Sequence, residues 1–114
     1  MTKRYKLEAD KLDKWLAQLR NPESKQLTKR FFDCATFELA GDYLHRVRRQ
    51  GLPVCGCALG HYAAATVDEP ISTMPNFLSD LDRNLRDMVF HMNDDEMMSL
   101  TEIADWLEAN VERV

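Results

Sequence analysis

The stretch Asn76-Phe77-Leu78-Ser79-Asp80-Leu81-Asp82-Arg83-Asn84-Leu85-Arg86-Asp87-Met88-Val89-Phe90-His91-Met92 decides the fold class. Phe77, Leu78, Leu81, Leu85, Met88, Val89 and Met92 recur three and four residues apart, while Asp80, Asp82, Arg83, Arg86 and Asp87 fill mostly the other side. That is the period of an amphipathic helix. Beyond it, Asn93-Asp94-Asp95-Glu96 reads as the helix end, with Asn93 suited to a left-handed turn and the acids to a solvated loop. Ser99-Leu100-Thr101-Glu102 then has the S-x-x-E form of a capping box, which predicts a last helix with Leu100, Ile103, Ala104, Leu107 and Val111 facing inward.

Working back from the same stretch, residues Thr66 to Pro75 form the clearest loop, broken by Pro70 and Pro75. Cys55-Gly56-Cys57-Ala58-Leu59-Gly60-His61-Tyr62-Ala63-Ala64-Ala65 reads as a short buried helix of small residues, against which neighbouring backbones can pack closely. Before it, a long helix is predicted from Pro22 to Gln50, opened by Asn21 as a cap. Leu27, Phe31, Phe32, Ala35, Leu39, Tyr43, Leu44 and Val47 spread over its wide apolar face, and Gly41 is a candidate kink. His45, Arg46, Arg48 and Arg49 gather at its negative end before Gly51 and Pro53 stop it. Leu12, Trp15, Leu16 and Leu19 mark a first helix from Tyr5 to Arg20. No segment reads as a strand. The expectation is an all-α bundle of about five helices, a single domain over residues 1–114, with residues 57–65 packed centrally.

The 114 residues, 45% apolar and 30% charged, suit one globular domain with a packed core. No run approaches the ~20 apolar residues of a membrane span, and the start lacks a signal-peptide apolar stretch. Three cysteines, Cys34, Cys55 and Cys57, have no disulfide-framework spacing, so the expected location is cytoplasmic. Charge is divided along the chain. Residues 1–50 carry 12 Lys/Arg against 7 Asp/Glu, and residues 51–114 carry 3 against 12. With an acidic chain overall, nucleic acid is not the first expected partner; Arg46, Arg48 and Arg49 supply only a third reading of that kind.

Cys55-x-Cys57-x3-His61, joined by Cys34, His91 or Asp94, offers the soft ligands that zinc prefers, although the spacing is not that of a finger or ribbon. Packing of the cysteines as small hydrophobes, with His61 hydrogen-bonded beside them, is the expected role, and metal or small-ligand binding is the alternative. A cysteine nucleophile with His61 or His91 as base lacks any local signature. Asn93-Asp94-Asp95-Glu96 lacks the alternation of a calcium loop. There is no phosphate loop, no G-x-S-x-G elbow and no H-E-x-x-H pair, so no enzyme and no resident cofactor are expected. Met97 and Met98, beside the acids, are candidates for an exposed adaptable surface.

Trp15-Leu16-Ala17-Gln18-Leu19-Arg20, Cys57-Ala58-Leu59-Gly60, Asn93-Asp94 and Glu102-Ile103-Ala104-Asp105-Trp106-Leu107-Glu108, taken in order, form a W-L-x-x-L-R, C-x-L-G, N-D and E-I-A-D-x-I/L-E pattern. The set resembles small helical proteins of bacteriophages and bacterial genomes. Asn21-Pro22-Glu23-Ser24 departs from it, standing where such proteins have a short glycine-containing turn. The resemblance implies a phage or mobile-element accessory protein and carries no activity with it. The resulting expectation is a non-enzymatic protein that binds a host protein through its acidic half, with Asp94, Asp95, Glu96, Met97 and Met98 as contact residues. Inhibition of a host defence or nucleic-acid-binding complex is one concrete form of that reading.

Overall fold

A computed structural model describes residues 3–33, 40–67 and 81–114. Among these the order of elements is β1 (Tyr5–Leu7), α1 (Ala9–Arg20), β2 (Lys25–Gln26), α2 (Ala40–Gln50), β3 (Cys55–Gly56), α3 (Ala58–Thr66), α4 (Arg83–Asp94), α5 (Leu100–Asn110) and β4 (Val111–Arg113). The molecule is mostly helical. The expected absence of strands is corrected, since two short parallel ladders, β1 with β4 and β2 with β3, are present.

The first ladder joins the two ends of the chain. Tyr5 pairs with Val111, Lys6 with Glu112 and Leu7 with Arg113. Tyr5 and Leu7 are buried and Lys6 is exposed, the period of two that a one-faced strand imposes. The predicted helix from Tyr5 therefore begins only at Ala9. Glu8 gives α1 no side-chain cap; instead the Ala9 amide donates to the Val114 carbonyl at 3.2 Å, so the C-terminal strand satisfies one free donor of the first helix.

Helix α1 buries Leu12, Trp15, Leu16 and Leu19, the predicted face, against α3 and α5. Trp15 donates from its ring nitrogen to the Ala58 carbonyl at 3.0 Å and stands edge-on to Tyr62, ring centres 4.9 Å apart. The aromatic body is buried while its one polar atom is paired. The alanines and glycine of α3 let α1 and α4 both approach it, and Ala58 to Ala63 are all buried.

The predicted long second helix is replaced by two different structures. Asn21 Oδ1 accepts the Glu23 amide at 2.9 Å, an Asx turn in place of a helix cap, and Ser24 Oγ donates to the Gln18 carbonyl at 2.7 Å. The chain then wraps around β3. Leu27 N donates to Gly56 O, Cys57 N to Arg30 O and Asp33 N to Cys55 O, at 3.0, 3.1 and 3.0 Å. Lys29 has φ 62, which no α-helix accommodates. Apolar spacing at Leu27, Phe31 and Phe32 imitated a helix because Phe32 inserts into the core from an irregular segment. Ala35 and Leu39 lie outside the described residues, as does Cys34. Gly41 lies in the first turn of α2, which ends at Gly51 (φ 64), with Leu52 N returning to Val47 O at 2.9 Å in a Schellman-type closure.

Leu85, Val89 and Met92 of α4 face inward as predicted, and Asp82 caps the helix through the Asn84 and Leu85 amides. The predicted start of this helix at residues 76–80, and the loop at residues 68–75, lie outside the described residues. Ser99 and Glu102 form the predicted capping box of α5. The buried side chains of all five helices and of β1 and β4 form one cluster. Among the described residues, no helix is long and apolar enough to cross a membrane.

Candidate functional site

Asn93 and Asp94, at the end of α4, lie inside the protein. The Asn93 Oδ1 atom accepts the Ala58 amide at 3.0 Å and the Gln26 side-chain amide at 2.9 Å, while Nδ2 donates to the Leu27 carbonyl at 2.9 Å and to Asp94 Oδ1 at 2.7 Å. Asp94 Oδ1 also accepts the Lys29 amide at 2.8 Å. The same Gln26 amide donates to the Met98 carbonyl at 2.7 Å. One asparagine thus joins α4, the start of α3 and the loop after β2, with both ends of its amide group satisfied. Asp94, only 8% exposed, belongs to this frame; its expected place on an outer acidic surface is corrected.

His61 is fully buried on α3. Its Nε2 lies 2.9 Å from the Lys25 carbonyl, and its Nδ1 lies 3.1 Å from the Gln18 side-chain amide. A carbonyl requires a donor and an amide N–H requires an acceptor, so the ring is neutral with its hydrogen on Nε2. Burial holds its pKa below the ordinary value. Both ring nitrogens have hydrogen-bond partners.

Cys57 caps α3, its Sγ accepting the Gly60 amide at 3.4 Å, and burial pushes its thiol up to about 11. Cys55 is half-buried in β3, where its amide donates to the Tyr43 hydroxyl at 2.8 Å. Its thiol is also raised, by burial first and by Asp33 second. Neither thiol is activated. The alternative metal grouping of Cys55, Cys57 and His61 does not converge: among the described residues no set of three His, Cys, Asp or Glu side chains could hold an ion.

The two glycines around Cys57 have a geometric cause. A Cβ on Gly56 would stand 2.1 Å from the Phe31 carbonyl oxygen, and one on Gly60 would stand 2.0 Å from it. The 25–33 segment crosses α3 at a distance that only hydrogen permits.

Asp95 and Glu96 are exposed, as expected, on the turn between α4 and α5. Met97 is 67% exposed and takes φ 56, so the left-handed residue of this turn is Met97 and not Asn93. Met98 is half-buried against the core, with its amide on the Met92 carbonyl at 3.0 Å. Phe90, 49% exposed on α4, is an apolar surface residue that sequence reading passed over. His91 stands between the two acids, Nδ1 2.9 Å from Asp95 and Nε2 3.3 Å from Glu96; its pKa is raised, chiefly by the Asp95 hydrogen bond.

Part of the charge asymmetry closes on itself. Arg20 reaches Asp105 and Glu108 at 3.0 and 2.6 Å, whereas Arg113 and Asp13, 2.8 Å apart, pair the minority charges of the two halves. Arg48 donates to the Ala64 and Val67 carbonyls at the end of α3, at 2.9 and 2.6 Å. Arg46 lies over the Tyr43 ring. Between α1 and α3 runs a shallow groove of about 440 Å³ lined by Lys14, Ala17, Gln18, Asn21, Ala64 and Ala65. No nucleophile and base meet in it.

Sequence reading missed the roles of Asn93, Gln18 and Gln26. A signal was present for Asn93: it continues the inward face of Leu85, Val89 and Met92, where a polar side chain needs a buried partner. For Gln18 and Gln26 the partners are too distant in sequence to be inferred.

No protein-family model, no curated protein and no solved structure matches this chain.

Proposed function

We propose that the chain is a non-enzymatic accessory protein of phage or mobile-element type that binds a host protein through the turn after α4. The observation that supports this reading is the company of exposed residues on that turn: Asp95 and Glu96 beside Met97, with Phe90 one turn earlier on α4. A mixed surface of carboxylates and large flexible apolar groups suits docking to a basic protein face. The acids steer approach, and the methionine and phenylalanine supply area that excludes water. The turn is carried on a fixed base, because Asn93 and Asp94 directly before it are tied to α3 and the β2 loop. Blocking a nucleic-acid-binding or defence complex of the host is the concrete form of this reading.

The test is capture of partners from a bacterial lysate by the tagged wild-type chain and by two variants. Asp95→Ser/Glu96→Ser/Met97→Ser removes the turn surface; Asp10→Ser/Glu112→Ser changes charge elsewhere. A partner held by the wild type and the second variant, and reduced about tenfold or more in the first, supports the turn as the contact. Equal recovery by all three places the contact elsewhere.

A further inference from the structure

His91 is tied to the two residues of the turn in two ways. Its backbone carbonyl accepts the Asp95 amide at 2.9 Å and the Glu96 amide at 3.0 Å. Its ring meets the side chains of the same residues, Nδ1 at 2.9 Å from Asp95 Oδ2 and Nε2 at 3.3 Å from Glu96 Oε1. A neutral imidazole has one N–H and one lone pair, so it can donate to one carboxylate only and must face the other lone pair to lone pair. The imidazolium donates to Asp95 from Nδ1 and attracts Glu96, 3.3 Å from Nε2, as an ion pair. A ring with each nitrogen on a different carboxylate is therefore arranged as the charged form would be.

We infer that the α4–α5 turn is a proton-operated latch, in which protonated His91 pins Asp95 and Glu96 against the end of α4 and release of one ring proton to solvent frees the Glu96 arm. Glu96 is the arm that opens because its contact is the longer of the two and its side chain has the extra methylene. With the latch open, the segment that carries Met97 in its left-handed conformation loses one of its restraints, and the turn changes from one net negative charge to two. The inference stands whether or not this turn docks a partner.

The surroundings are consistent with this assignment. Asp95 and Glu96 act directly on the ring and both raise its pKa, against a desolvation effect that lowers it. Asp87 lies one turn earlier on α4. From α5, Glu102 is occupied by the Ser99 amide. From the β2 loop, Lys29 meets Asp94 through its backbone. From α3, His61 and Cys57 are buried inside. The negative end of the α4 dipole also favours the charged ring.

The test is residue-resolved hydrogen exchange of the Glu96 amide, expressed as a protection factor, together with an NMR titration of the His91 ring, from about pH 5 to about pH 8 where imidazole titrates. Wild type is compared with His91→Gln, Asp95→Asn and Glu96→Gln; all three positions are exposed, and the dispersion of the amide spectrum reports that each variant is folded. In the wild type, protection of Glu96 falls by about threefold as the ring discharges, the scale of one exposed charged contact. In His91→Gln it is flat, and in Asp95→Asn and Glu96→Gln the ring titrates at lower pH. Protection that is unchanged across the wild-type titration, or that falls equally in His91→Gln, overturns the latch.

Discussion

The side-chain oxygen of Asn93, at the end of α4, accepts the backbone N–H of Ala58, the first residue of α3, at 3.0 Å. That bond caps one helix with a residue from another, 35 positions away in sequence. It also ties the end of α4 to the start of α3.

Removal of that amide takes this partner from the buried Ala58 N–H, at about 1–3 kcal/mol, and from the part-buried Leu27 carbonyl, at less. Asn93→Ala is expected to destabilise the protein by about 3 kcal/mol or more in urea unfolding. Asp95→Asn, two residues later but exposed, is expected to change stability by less than about 1 kcal/mol.

The glycines are expected to separate by cause. Gly60→Ala drives a methyl group into the Phe31 carbonyl, a backbone atom that cannot turn aside, and should cost at least the upper part of the about 1–3 kcal/mol seen for overpacking. Gly51→Ala meets no atom within 4 Å and carries only the strain of its positive φ, about 1 kcal/mol. Thermal unfolding of the two variants should show that order.

Buried His61 sets a pH dependence of defined sign. Its folded pKa lies below 6.5, the value of a free imidazole, so the unfolded chain binds the proton more readily. Stability is full above that value and is lost as pH falls from it toward the folded pKa, because burial disfavours the charged ring. His91 acts in the opposite direction: its pKa is raised, so its contribution is present below 6.5 and is lost as pH rises through the folded value. Urea unfolding across this range in His61→Gln and His91→Gln separates the two, with His61→Gln flattening the loss at low pH.

Cysteine labelling gives a fourth check. With its thiol at about 11 and its side chain enclosed, Cys57 should resist iodoacetamide at neutral pH in the folded protein. In a Cys34→Ser background, Cys55 should label slowly and Cys57 only once the chain unfolds. Rapid modification of native Cys57 would contradict its place as the cap of α3.

Legibility in the sequence followed the range of the interactions. The faces of α1, α4 and α5 were readable because the residues forming each face are neighbours within the same helix. The Ser99 capping box was readable for the same reason. The stretch from Pro22 onward misled because spacing alone cannot distinguish a helix face from an irregular segment that inserts Phe32 into the core. The strands were invisible because two- and three-residue ladders have too few positions to show a period. At the acidic turn, Asp94 and Asp95 are chemically alike and adjacent, yet one is buried on the Lys29 amide and the other faces solvent beside His91. Only the direction of the helix end relative to α3 separates them.

The sequence by itself determined a mostly helical chain, the inward faces of three helices and the small-residue character of α3, all set by local periodicity and side-chain size. Tertiary structure alone decided that the chain ends pair as β1 and β4, that residues 25–33 wrap β3, and that Asn93, Asp94 and His61 serve the interior. The reason is physical: a buried polar group is defined by the partner it reaches, and Ala58, Lys25, Lys29 and Leu27 come within hydrogen-bonding distance only after distant parts of the chain have packed.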